Sequence, residues 1–157
     1  MRGYRDVAGL AGAQVACFML LTHLEPDFFL VHFYEAIVYI AILVMLFYME
    51  DRWAYMIGIL SSTVWLVYAY VSGILSDSVR RISELRGSPL DADLVAAAAL
   101  ITGLIAVLMI TSCVRHWIKE YSGLGKTRST FLVSLGCVAV YYGILGRFFW
   151  EMIPNPS

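Results

Sequence analysis

The chain has 157 residues, of which 61% are hydrophobic and 15% charged, and its mean hydropathy is +0.76. Water-soluble domains are closer to half apolar and a quarter charged, so this composition argues against a soluble enzyme and for a polytopic membrane protein, with room for about five spans of roughly 20 residues. A net charge of −1 points to neither nucleic acid nor an acidic surface as partner.

The N-terminal stretch MRGYRDVAGLAG is basic and then apolar, as in a signal peptide. Its continuation through Leu21 is span-length and no A-x-A site precedes His23, so a retained first helix is expected over 7–21. Further apolar runs cover 28–49, 53–75, 94–114 and 131–150. They are continuous, whereas barrel strands would alternate, so helices are expected throughout. The expected fold is an all-α bundle of about five transmembrane helices forming a single transmembrane domain over 1–157. Between the third and fourth runs, DSVRRISELRG has Val79, Ile82 and Leu85 at helical spacing and Asp77/Arg81 at i,i+4, which predicts a short interfacial helix over 77–86.

Aromatic residues gather where the runs end: Phe28 and Phe29, Trp53 and Tyr55, Trp117 and Tyr121, and Phe148 to Trp150. Such rings favour headgroup depth and support the same boundaries. Arg2, Arg5, Arg52, Arg115, Lys119, Lys126 and Arg128 fall on one side of a five-span chain, against Arg80, Arg81, Arg86 and Arg147 towards the other. This bias predicts a cytoplasmic N-terminus and a C-terminus outside.

Small residues line one face of four runs: Ala8/Gly12/Ala16, Gly58/Ser62/Ala69/Gly73, Ala96/Ala99/Gly103/Ala106 and Gly136/Ala139/Gly143/Gly146. In lipid, close backbone approach at such stripes supplies helix association, so all four are expected in seams. The second run is bulky nearly all round and is expected to face lipid or a partner. Cys17, Cys113 and Cys137 sit singly in apolar segments and read as small hydrophobes. GLGKT at 123–127 lacks the glycine and the strand of a phosphate-binding loop and reads as a basic loop near lipid headgroups.

The unusual stretch is THLEPDFFLVHFYEA, residues 22–36. His32 and Glu35 stand at i,i+3 on one helix face, with Tyr39 one turn beyond, a line that can relay protons, bind a cation or recognise a polar headgroup. His23, Glu25 and Asp27 in the adjoining turn could add metal or ligand contacts, but their spacing fits no standard zinc motif and a solvated turn is the simpler reading. His23 with His32 would be the one histidine pair at matching depth for a haem. No metal site is assigned, and the sequence names no cofactor.

Counted from Phe28, Glu35 lies about 10 Å inside the apolar zone, where an unpaired carboxylate would cost about 2–3 kcal/mol. Arg147, at similar depth in the last run and flanked by Gly143 and Gly146, is the expected partner. No nucleophile–base constellation, HExxH or nucleotide fingerprint occurs, so an enzyme is not expected. The leading expectation is a small accessory subunit of a larger membrane complex, energy conversion being one setting. Its expected partners are membrane lipids and other membrane subunits or further copies of itself. The alternative is a small oligomeric transporter or proton/cation channel using His32, Glu35 and Tyr39.

Overall fold

The computed structural model describes residues 4–48, 51–83, 90–121 and 127–149, with the side chains of 90–93 and 148–149 left aside. Within them the chain is an all-α bundle: α1 (Tyr4–Leu24), a 3-10 turn (Pro26–Phe28), α2 (Phe29–Phe47), α3 (Asp51–Val71), α4 (Ile74–Ser83), α5 (Leu90–Tyr121) and α6 (Thr127–Phe149). All but α4 are long and apolar enough to cross a membrane. The apolar run 94–114 is the inner part of a longer helix, because Arg115 to Tyr121 carry α5 on past the hydrocarbon stretch.

The α1–α2 connection is tight for a local reason. Pro26 begins the 3-10 turn, where a missing N–H costs nothing, and the Phe28 amide closes the turn on the Glu25 carbonyl at 3.0 Å. The chain therefore reverses almost at once, leaving Glu25 just above the first turn of α2. A second sharp break separates α3 from α4 at Gly73, whose φ of +78° is the left-handed conformation that ends helices and favours glycine. The Ser72 amide returns to the Tyr68 carbonyl at 2.9 Å and that of Gly73 to Tyr70 at 3.1 Å.

After that break α4 turns across the end of the bundle against α5 and α3, keeping Ser78 buried and Ile74, Leu75 and Ile82 part-buried. Val79, expected on the apolar side, is exposed, because the helix starts at Ile74 and its inner face runs through 74, 75, 78 and 82. Asp77 pairs with Arg80 at 3.6 Å rather than with Arg81. Leu85 and Arg86 lie outside the described residues.

In the bundle, α1 packs against α2 and α5, α3 against α5 and α2, and α6 leans mainly on α3. The core runs through Phe18, Tyr39, Trp65, Ile42 and Met109. α2 is two-faced: Val31, Glu35, Ala36, Tyr39, Ile42 and Leu46 are buried, while Phe29, Leu30, Phe33, Ile37, Ile40 and Val44 point outward. Two of the four small stripes lie in seams. Gly58, Ser62 and Ala69 on α3 are buried, as are Ala96, Ala99, Gly103 and Ala106 on α5. The α6 stripe faces outward, with Gly136, Ala139 and Gly143 exposed and nothing within 4 Å of a side chain built at either glycine. On α1, Gly12 also has open space and Ala16 is exposed.

Candidate functional site

The site begins with helix geometry. Positions 32 and 35 are neighbours on α2, and His32 Nδ1 lies 3.3 Å from Glu35 Oε2. The reversal at Pro26 brings Glu25 back over the same ring, with His32 Nε2 3.2 Å from Glu25 Oε2. One imidazole thus bridges two carboxylates. Glu35 is at the inner end, its side chain 3% exposed; His32 follows at 15%, and Glu25 at 34% reaches the surface. The chain of ionisable groups leads from the rim inward.

Protonation is constrained by that geometry. A neutral imidazole has one N–H, so it donates to one carboxylate and accepts from the other only if that other is protonated. With both glutamates ionised, both nitrogens must donate and the ring is an imidazolium. In either state the three groups hold one proton beyond the N–H of a neutral imidazole, and their net charge is −1. A buried Glu35 carboxylate is thereby compensated.

These groups form the floor and one edge of a cavity of about 160 Å³ beneath α4. Phe18 and Leu21 of α1, Phe28 and Val31, Trp65 and Tyr68 of α3, Ile74 and Ser78 of α4, and Val95 and Ala99 of α5 complete its wall. The Phe18 ring stands between His32, at 6.5 Å between centroids, and Trp65, at 6.0 Å edge to face. One turn below Glu35, Tyr39 is fully buried and its hydroxyl lies 3.4 Å from Ser62 Oγ. Gln14 of α1 is also fully buried, with no hydrogen-bond partner for either carboxamide atom. Below this level the core turns apolar, with Ile42, Gly58, Met109 and Cys113 in contact.

His32, Glu35 and Tyr39 are therefore brought to one region, and Glu25 joins them. His23 and Asp27 do not: both are exposed. Arg147 is exposed on α6, while Glu35 is held by His32. The expected Glu35–Arg147 pair is thus replaced, because α6 presents that position outward and His32 on α2 already meets the acid. Among the described residues no group of three or more His, Cys, Asp or Glu side chains is arranged to hold a metal ion.

A second cluster, at the opposite end, was not anticipated from sequence. Asp6 in the first turn of α1 accepts hydrogen bonds from Ser112 Oγ and from Arg115 at 2.8 Å, and lies 3.0 Å from His116 Nε2. His116 Nδ1 faces Glu120 at 3.6 Å, an ion-pair distance, and the ring stacks on Tyr55 at 5.5 Å. The i,i+4 spacing of His116 and Glu120 is visible in sequence. Asp6, about 110 positions away, is brought in by the packing of α1 on α5 alone.

Compared with protein-family models, curated proteins and solved structures, the chain matches none. Its chemistry is read from its own residues.

Proposed function

We propose that the protein is a small membrane transporter that takes up a proton or cation at Glu25, His32 and Glu35. The observation that carries this reading is the graded path from part-exposed Glu25 through His32 to buried Glu35, on the floor of a cavity. A purely structural ion pair needs neither the outer carboxylate nor the empty volume beside it. Intramembrane ionisable residues at cavity walls commonly mark such pathways. The apolar layer of Ile42, Met109 and Cys113 argues against a continuous pore and for a carrier whose bundle rearranges during transport. The arginine and lysine distribution favours an N-terminal end in the cytoplasm, and with that orientation the cavity would open outside.

The test is flux into liposomes holding the purified protein and a pH-sensitive dye, with a potassium diffusion potential as driving force. Glu35→Gln and His32→Gln should each slow proton or sodium movement at least about tenfold, and Arg147→Gln should leave it unchanged. Flux no greater than in empty liposomes, under both ion gradients, would reject the reading.

An accessory subunit remains a second reading, favoured by the outward face of α6, where Leu132, Val133, Leu135, Val140 and Ile144 accompany the open glycines. Stable co-purification with larger membrane proteins would support it, and a protein that is functional by itself in liposomes would count against it.

A further inference from the structure

The cavity's chemistry narrows what it can hold. Its volume, about 160 Å³, is close to that of apolar protein cavities that admit a benzene ring. Four aromatic side chains line it, Phe18, Phe28, Trp65 and Tyr68, and among the described residues no lysine or arginine does. The groups that carry charge are two carboxylates and one imidazole, beside the neutral Ser78, Tyr68 and Trp65, so the wall carries negative charge unless His32 is protonated, and then it still carries an excess of one when both glutamates are ionised. An anion finds no counter-charge here. A neutral molecule would leave the carboxylates dependent on His32 alone. A cation meets two acceptors and the faces of aromatic rings.

We infer that the cavity binds a small primary or secondary amine with an apolar, ring-sized body, and that the bound ammonium replaces the His32 imidazolium as counter-ion to Glu25 and Glu35. An ammonium has two or three N–H donors, enough to serve both carboxylates, which is what the ring does in its absence when both its nitrogens are protonated. The ammonium takes the acceptor oxygens that His32 holds, Glu25 Oε2 and Glu35 Oε2, and an imidazolium left beside it without acceptors would be an unpaired cation against an apolar wall. Amine entry therefore drives the imidazolium proton to solvent by way of Glu25. The amine enters with its own proton, and no bond other than N–H is made or broken. The groups facing His32 are Glu25 from the turn and Glu35 from its own helix. Phe18 faces it from α1 and Tyr68 lines the cavity from α3, while α4 and α5 contribute Ser78, Val95 and Ala99. The exchange thus rests on the two glutamates. It deepens the transport reading by making amine and proton competitors for one site, the arrangement an amine/proton exchanger requires.

The experiment is isothermal titration of the full chain in detergent with benzylamine, benzyl alcohol and benzoate, in two buffers of different ionisation enthalpy. Benzylamine is expected to bind saturably with release of about one proton, and more tightly as the buffer is made more alkaline while the amine stays charged. Glu25→Gln, at the part-exposed rim, and Glu35→Gln should each weaken it about tenfold or more. A melting curve for each variant separates lost binding from lost fold, and Glu25→Gln carries the test if Glu35→Gln does not fold. Benzyl alcohol binding as tightly as benzylamine would reduce the site to an apolar void and overturn the inference, as would benzoate binding, absence of benzylamine binding, or binding without proton release. Ion flux in liposomes without any amine is scored separately. Intact flux with no benzylamine binding sinks the amine and spares the transport reading, whereas binding without flux does the reverse.

Discussion

At the scale of single residues, the question is what compensates each polar group buried in an apolar bundle. Glu35 is answered by His32, three positions earlier on the same helix, and this was legible because i,i+3 neighbours share a face wherever the helix points. Arg147 was a poor guess for a physical reason: depth along the membrane can be counted from sequence, but the rotation of α6 about its axis cannot. Glu25 was read as solvated because nothing in the spacing announces that Pro26 folds it back onto His32. A double-mutant cycle separates the two pairings. Glu35→Gln with His32→Gln should show a coupling of about 1–2 kcal/mol in detergent unfolding, while Glu35→Gln with Arg147→Gln should be additive within about 0.5 kcal/mol. Coupling in the second cycle would restore the long-range pair. Gln14 is the opposite case, a buried amide with both atoms unpartnered. Replacing it with leucine removes two unsatisfied groups at similar volume, so Gln14→Leu should stabilise the protein by about 1 kcal/mol. Lower stability, measured as a fall in melting temperature, would mean that the amide is satisfied in the membrane protein.

Among the helices, the small-residue stripes separate what patterning encodes from what packing decides. All four stripes look alike in sequence, yet those of α3 and α5 are buried and that of α6 is exposed. A stripe states that close approach is allowed; which partner uses it depends on the order in which the helices surround the core. The difference is measurable at two glycines. A side-chain carbon at Gly103 would sit 3.2 Å from Leu75 Cδ2 and 4.0 Å from Trp65, between α5 and the α4 cap, whereas one at Gly143 meets nothing within 4 Å. Gly103→Leu should therefore push α4 off the bundle and cost about 2 kcal/mol or more. Gly143→Leu should leave the melting temperature unchanged within error. Equal losses would place α6 in a seam with a second chain or a partner. α4 itself was legible as an amphipathic segment, but its start was read three residues late. The preceding break depends on the left-handed backbone at Gly73, and an apolar run over 53–75 gives no sign of one.

Across the whole molecule, five helices do not share the interior equally. α1, α2, α3 and α5 enclose both imidazole–carboxylate clusters, and α6 lies outside them, with 22% of its most apolar stretch buried against 33–44% for the other spans. Among the described side chains of α6, Thr130, Ser134, Val138 and Leu145 are buried, one narrow face. Its ties include the Tyr34–Tyr141 stack, 4.4 Å between centroids with each hydroxyl donating to the other residue's carbonyl, and the Tyr142 hydroxyl donating to the Ser61 carbonyl at 3.3 Å. Among the described residues, no side chain of α6 lines the cavity. The fold and the site should therefore be separable from this helix. A chain ending at Lys126 is expected to insert, to keep the His32–Glu35 coupling, and to lose about 2 kcal/mol of stability, the combined worth of the aromatic stack and one helix face. Tyr141→Ala in the full chain should reproduce a large share of that loss, since it removes the α2–α6 tie. If the shortened chain aggregates while Tyr141→Ala is mild, then α6 does more than lean on α3. The packing of the four inner helices would then depend on it, and its outward glycines could not serve as a surface free for a partner.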